Sequence, residues 1–384
     1  MEHTIIELFA GVGGFRLGFE KQSKKWNTVW MNQWEPSNKN QFAFNCYKKH
    51  WTTGINEYSN MDINLVPFDK IPDASVLVGG FPCQNYSVCV SNAKGIEGEK
   101  GVLWWNIYHI LEHKNPPFVL LENVDRLLKS PAKLKGRDFS IILWCFNNLG
   151  YNVEWRIINA SEYGFQQRRK RVFIFAYKKN TKYANVKNDF FDMFSCESKR
   201  NESFKLPDDI KQYFEFSVNY FNSGKMIGLN VYTKDVSPVY DGEYITLNDI
   251  MEHNGCDFIL SDKQVDSFRN SKGSKEKKRI KNGFEYTYKE GAVPFPDIQT
   301  RAARTILTSE GSINRTTHVV VDKATGKLRL LTPIECERIQ GFDDNWTNGL
   351  TNRQRYFCMG NALVVQLVSK MAEKLDYIIE RENK

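Results

Sequence analysis

Three observations predict an α/β fold with a largely parallel sheet and a second, smaller domain. Apolar runs of strand length alternate with helical stripes from residue 4 to residue 177, the pattern of βαβ units. The first run, Ile5-Ile6-Glu7-Leu8-Phe9, leads straight into the glycine-rich turn Ala10-Gly11-Val12-Gly13-Gly14 and a helical stripe. From about 178 to 315 the apolar periodicity weakens, and Lys, Asn and aromatic residues scatter among short runs.

With 384 residues, 41% hydrophobic and 26% charged, the chain is long enough for two or three domains and too apolar to be disordered. Its eight cysteines include no Cys-x-x-Cys pair and no disulfide spacing, which argues against a metal site and for a reducing, cytoplasmic setting. The first residues lack the basic and apolar stretches of a signal peptide, and no run of about 18 apolar residues offers a membrane span. A formal charge of +8 suits an anionic partner such as nucleic acid, without requiring one.

Glycines at 11, 13 and 14 let the backbone turn tightly and approach a ligand. A dinucleotide fingerprint would have glycine where Arg16 stands, which counts against a nicotinamide enzyme but not against other adenosine cofactors. Thr28 to Glu35 reads as a second strand ending in Gln33-Trp34-Glu35. An acid there is placed to hold ribose hydroxyls and an aromatic to stack on adenine; Trp34 also fits a core and Glu35 a solvated loop. Met61-Asp62-Ile63 offers another carboxylate, as a cofactor contact or an exposed charge.

Ser75-Val76-Leu77-Val78 reads as a buried strand running into Gly79-Gly80-Phe81-Pro82-Cys83-Gln84-Asn85-Tyr86-Ser87. Chemistry collects outside the carboxyl ends of such strands, so Cys83 is a candidate nucleophile; taken alone, a small buried hydrophobe is the commoner reading of such a cysteine. The polar, glycine-rich segment 95–101 is expected to move, and Leu103 to Leu111 to form a helix. Glu122, directly after four apolar residues of the next strand, is expected to be partly buried and to donate a proton; the alternative is a strand-end glutamate paired with a structural arginine.

Phe139, Ile142, Leu143, Phe146 and Leu149 form a helical stripe ended by Gly150, Val153, Trp155 and Ile157 alternate as a strand, and Gln167 to Arg171 feed another buried strand. Lys272 to Lys281 is the most basic patch, a solvated loop or a set of phosphate contacts. Thr332-Pro333 fits a helix start. A final helix is expected to open at Gly360-Asn361-Ala362 and to pack Val364, Leu367, Val368, Met371 and Leu375 on the first domain.

In this order, these motifs closely resemble those of the DNA cytosine-5 methyltransferase family. The matches are Phe9-Ala10-Gly11-x-Gly13-Gly14, Pro82-Cys83-Gln84 with Ser87, Glu122-Asn123-Val124, Gln167-x-Arg169-x-Arg171, Arg338-x-Gln340-Gly341-Phe342 and Gly360-Asn361-Ala362. They span residues 5 to 365, and the single long variable segment resembles the bacterial type II restriction–modification enzymes.

The resemblance implies a Rossmann-like, S-adenosylmethionine-dependent methyltransferase sheet over 1–184, a target-recognition domain over 185–325 and a C-terminal segment, 326–384, packing back. It implies Cys83 as the nucleophile adding to cytosine C6, Glu122 as donor to N3, and Arg169 and Arg171 on the O2 side of the base. Cofactor contacts are implied for Phe9, Ala10, Gly11, Gly13, Gly14, Trp34, Asp62, Ile63, Pro82, Leu103, Asn361 and Ala362. The family's ribose-binding acid stands where this chain has Gln33, so either Gln33 or Glu35 takes that role. DNA contacts are implied for Gln84 and Ser87, in a loop over 84–101 that closes on a flipped base, and for Lys272, Lys275, Lys277, Lys278 and Thr305. Duplex DNA, a cognate restriction endonuclease as genetic partner, a monomeric state and no metal complete the expectation.

Residues 283–297 and 309–311 resemble a sub-branch acting on GGNCC or GGWCC. A transfer-RNA methyltransferase and an inactive DNA-binding paralogue are the competing readings. The first lacks its Cys-Phe-Thr motif, since Thr316 to Val321 stands there, and the second leaves Cys83, Glu122 and Arg171 without a reason.

Overall fold

The structure, a computed structural model, describes residues 1–36, 39–52, 58–81, 103–186, 189–253, 255–281 and 284–384. Two compact units divide it: residues 1–163, 169–242 and 365–384 form the first, and residues 164–168 and 243–364 the second.

A ten-stranded sheet organises the first unit. Its strands are β1 (Thr4–Leu8), β2 (Asn27–Asn32), β3 (Tyr58–Ser59), β4 (Val76–Gly80), β5 (Phe118–Val124), β6 (Tyr151–Asn159), β7 (Lys170–Lys178), β8 (Cys196–Lys205), β9 (Ser223–Ile227) and β10 (Asn230–Pro238), in the order β3-β2-β1-β4-β5-β7-β6-β9-β10-β8. Pairings from β3 to β5 are parallel; from β7 outward they are antiparallel. Val76–Val78 and Phe118–Leu121 are fully buried, as apolar runs covered on both faces of a sheet should be. Helices α1 (Gly14–Gln22), α2 (Phe42–His50), α3 (Leu103–Lys114) and α4 (Arg137–Asn148) lie between the strands in sequence. Strand order reverses at β1, which has β2 on one side and β4 on the other. Such a switch point opens a crevice outside the carboxyl ends of the strands.

The second unit carries α5 (Leu247–Ile250), α6 (Asp262–Lys272), the hairpins β11–β12 (Lys275–Lys281, Phe284–Glu290) and β13–β14 (Val319–Val321, Leu328–Leu330), α7 (Pro333–Gln340) and α8 (Asn352–Asn361). One buried apolar cluster in it gathers Leu260, Phe268 and Val319. Around it lie buried charges in pairs: Arg329 holds Asp322 at 2.8 Å and Glu335 at 2.7 Å with all three side chains buried. The start of α7 is as its sequence predicts, with Thr332 in a capping box with Glu335 and Pro333 in the first turn.

These units differ from the expected domains. Residues 196–238 extend the first sheet, because β9 pairs with β6 and satisfies its otherwise open edge. Residues 326–364 group with the second unit, where β14 pairs with β13. The last helix is also shorter than expected: Gly360-Asn361 closes α8, and a separate helix, α9 (Val365–Asn383), follows. As expected, Leu367, Val368, Met371 and Leu375 are buried, and Ser369 Oγ donates to the Gly18 carbonyl of α1 at 2.8 Å. Val364 is buried but groups with the second unit. Among the described residues no helix is long and apolar enough to cross a membrane, and no cluster of metal-ligand type occurs.

Candidate active site

At the carboxyl edge of the first sheet, Glu122 stands two residues before the end of β5 and the neighbouring antiparallel β7 begins close by, with Val124 opposite Arg171. Arg171 Nε lies 2.7 Å from Glu122 Oε1, and both side chains are largely buried. On the other side, Gly80 pairs with Glu122. A Cβ on Gly80 would stand 3.4 Å from Glu122 Oε2, so the bare backbone of β4 leaves room for the carboxylate. Arg169 is buried, and desolvation together with the charge of Arg171 pushes its guanidinium down to about 9, against the pull of Glu122. It therefore stays charged at neutral pH.

Asn123 carries no charge and escaped the sequence-based list of functional side chains. Fully buried, it donates from Nδ2 to the Phe81 carbonyl at 2.8 Å. That bond ties the end of β5 to the last described residue before the Pro82-Cys83 motif. Pro82, Cys83, Gln84, Ser87 and the loop expected over 84–101 lie outside the described residues.

The glycine turn after β1 is the second part of the site. Phe9 has φ +54°, Gly11 φ +57° and Gly13 φ +89°, left-handed conformations that β-carbon residues adopt at a cost. Gly13 is also sterically required: a Cβ there would lie 2.3 Å from the Trp51 ring. Space over Gly11 is open, and Gly14 begins α1 directly after the turn. Arg16, at the position that excludes a dinucleotide fingerprint, is buried, pairs with Glu20 at 2.8 Å and lies 4.7 Å over the Trp51 ring.

Gln33 and Glu35 differ in their hydrogen-bond partners. Glu35 is buried, and its Oε2 accepts from Ala43 N at 2.9 Å in the first turn of α2, where a carboxylate complements the helix dipole. Gln33 is half-buried at the end of β2, and its Oε1 accepts from Gly11 N at 2.7 Å. Gln33 thus belongs to the glycine turn and Glu35 to the fold. Trp34 is 38% exposed rather than core. Asp62 caps a short 3-10 turn by accepting from Asn64 N, with Ile63 buried behind it. Leu103 begins α3 and packs partly buried on the core. Asn361 and Ala362 group with the second unit, ahead of α9.

The residues expected to contact DNA differ in exposure. Lys272 is buried, bonded to the Thr317 carbonyl at 2.6 Å and to Asp297 at 3.3 Å; it is an internal ion-pair member and not a phosphate ligand. Lys277 and Lys278 are exposed on β11 and point to opposite faces, with Lys275 half-buried on the Lys277 side. Thr305 Oγ1 donates to the Arg168 carbonyl at 2.5 Å. Among the residues behind the GGNCC or GGWCC expectation, Asp297 is held by Arg304 and Lys272, and Glu310 by His318, all internally. Their carboxylates hold the second unit together.

Sheet order and switch point define a doubly wound α/β fold of the Rossmann-like class. Comparison with known proteins narrows this. M.Sau3AI, a type II methyltransferase of Staphylococcus aureus, is 45% identical over 405 aligned residues, covering 98% of this chain and 97% of that protein. M.HhaI of Haemophilus parahaemolyticus, also a type II methyltransferase, is 25% identical over 96% of this chain and 92% of its own. A crystal structure of a Spodoptera frugiperda DNMT2 mutant has the same fold, with a TM-score of 0.64 at 16% identity over 98% of this chain and 100% of that one. C-5 cytosine-specific DNA methylases match residues 3–376, and the chain belongs to that family. It is a DNA cytosine-5 methyltransferase.

Proposed function

We propose that this enzyme is the modification partner of a restriction endonuclease, methylating C5 of one flipped-out cytosine in a short duplex site through a Cys83–C6 adduct. One observation supports this above the others: the Glu122–Arg171 pair sits at the carboxyl edge of β5, next to the end of β4 from which Cys83 follows. Its relative of nearly equal length, M.Sau3AI, is itself a type II methyltransferase.

Cytosine C5 is a poor nucleophile, so the Cys83 thiolate first adds to C6, forming the S–C6 bond. The displaced ring electrons reach N3, which takes a proton from Glu122 and leaves C5 enamine-like. Arg171 holds Glu122 by one oxygen and, with Arg169, offers charge to the base's O2 side. S-adenosylmethionine, when bound, supplies the electrophilic methyl group to C5. Removal of the C5 proton, with water as the base, then re-forms the C5–C6 double bond and breaks the S–C6 bond, so that the thiolate is returned and N3 gives its proton back to Glu122. The residues present fit that cofactor: open space over Gly11, the exposed Trp34 indole and the Asp62 carboxylate follow β1, β2 and β3 in turn. Gln33 Nε2 is the ribose donor in this arrangement, its Oε1 being held by Gly11.

Methyl transfer from labelled S-adenosylmethionine to unmethylated duplex DNA and to transfer RNA tests the proposal, with bisulfite sequencing to read the site. Wild type should label DNA at one short sequence, and Cys83→Ser should not. Label on RNA alone, or activity retained in Cys83→Ser, would overturn it.

A further inference from the structure

In the second unit, the β11–β12 hairpin is exposed on both faces: Lys277, Lys278, Arg279 and Ile280 are exposed in succession, as are Glu285, Tyr286 and Thr287 opposite. Its register sets Lys275, Lys277 and Arg279 against Glu290, Tyr288 and Tyr286, and Glu276, Lys278 and Ile280 against Lys289, Thr287 and Glu285. Side chains alternate along a strand and cross-strand pairs share a face, so the two sets occupy opposite faces.

The two faces differ in charge and in how that charge is held. On one, Lys278 Nζ lies 3.2 Å from Glu285 and Lys289 Nζ 3.2 Å from Glu276, so the face neutralises itself. Among the described side chains the other has three cations, Lys275, Lys277 and Arg279, and one acid, Glu290. That carboxylate accepts from the Tyr288 hydroxyl at 2.6 Å and lies 3.6 Å from Arg315. Among the described residues Lys275, Lys277 and Arg279 have no ion-pair partner, and Arg279 lies over the Tyr288 ring at 4.1 Å. The result is a strip of cations interleaved with aromatic rings.

We propose that this cationic, aromatic face is the surface of the hairpin that meets the DNA duplex, with Lys277 and Arg279 on backbone phosphates and the self-paired face turned away. The proposal rests on the DNA-methyltransferase reading above. A two-stranded ribbon fits the major groove, and phosphate binding releases counterions from the duplex. Lys277 and Arg279 meet a phosphate without breaking any bond. Lys278 and Lys289 would first have to leave their glutamates. Tyr286, 42% exposed beside Arg279, supplies apolar area with a polar tip, as wet interfaces favour.

The test compares substitutions that remove the same charge from opposite faces. Binding of full-length protein to a duplex of arbitrary sequence is measured over a salt series for wild type, Lys277→Ala, Arg279→Ala and Lys289→Ala, with Lys277→Arg as the charge-retaining control. Lys277→Ala and Arg279→Ala should each weaken binding about five-fold near 0.15 M salt and shallow the salt slope by about one. Lys277→Arg and Lys289→Ala should match wild type. Equal losses at Lys277 and Lys289 would show a general charge effect and overturn the facing. Unchanged Lys277→Ala, in an enzyme that still methylates DNA, would overturn the facing and leave the enzymatic reading intact. A changed methylation sequence in Arg279→Ala would replace the phosphate contact with base reading. Wild type that labels RNA and neither binds nor labels DNA would overturn both readings.

Discussion

Arg171 Nε stands 2.7 Å from Glu122 Oε1, across the antiparallel seam where β7 joins the parallel half of the sheet. Two side chains 49 positions apart in sequence are therefore presented as one unit at the carboxyl edge. A guanidinium on one carboxylate oxygen fixes the group's rotamer, with the other oxygen above Gly80.

Glu122→Gln is expected to lower the methyl-transfer rate by about 10²–10⁴-fold, the range of a lost proton-transfer group, while S-adenosylmethionine affinity stays near wild type. Single-turnover kinetics and calorimetry separate the two. Equal losses in both would make Glu122 a structural residue.

Gly13→Ala places a methyl group against Trp51 and holds alanine at φ +89°. Strain and overpacking together should cost roughly 3 kcal/mol. A lower urea midpoint and weaker cofactor binding are expected; Val12→Ala, in the same turn, is the comparison for lost side-chain packing without strain.

Lys272→Ala removes a buried cation from Asp297, which keeps its contact with Arg304. About 3 kcal/mol of stability should be lost, the lower part of the range for breaking a buried pair. The effect should appear in thermal unfolding without added DNA. A variant with unchanged stability and weakened DNA binding would restore Lys272 as a phosphate ligand.

Glu7, buried beneath the glycine turn, has its carboxyl pushed up from 4.5 to about 7, first by desolvation, against the Tyr47 hydroxyl bond and the charge of Arg16. The folded state therefore holds a proton that the unfolded state has released between pH 4.5 and 7. Stability from this group is full below 4.5 and falls as pH rises through about 7, by up to about 3 kcal/mol. Glu7→Gln should flatten that slope in denaturant unfolding measured from pH 5 to 8. An unchanged slope would assign it to other groups, such as Glu154, which burial pushes up to about 8.

Much of the fold was legible because local patterns carry it. Apolar runs marked β4 and β5, alternation marked β6, Thr332-Pro333 marked the start of α7, and glycines marked the turn where only positive φ fits. The extension by β8, β9 and β10 was not legible. β8 is exposed over almost its whole length, so its sequence has no apolar alternation to read.

By itself the sequence determined the α/β alternation, the glycine turn and the motif order that identify a cytosine-5 methyltransferase, because each depends on neighbouring residues. Only the tertiary structure decided where these polar groups lie and what they bond to. Glu35 caps a helix while Gln33 joins the glycine turn, Lys272 is buried while Lys277 is exposed, and Asn123 ties β5 to Phe81. A charged side chain looks the same in sequence whether it meets solvent, ligand or a distant partner. Its role is set by the dielectric and the counter-charge that folding brings to it.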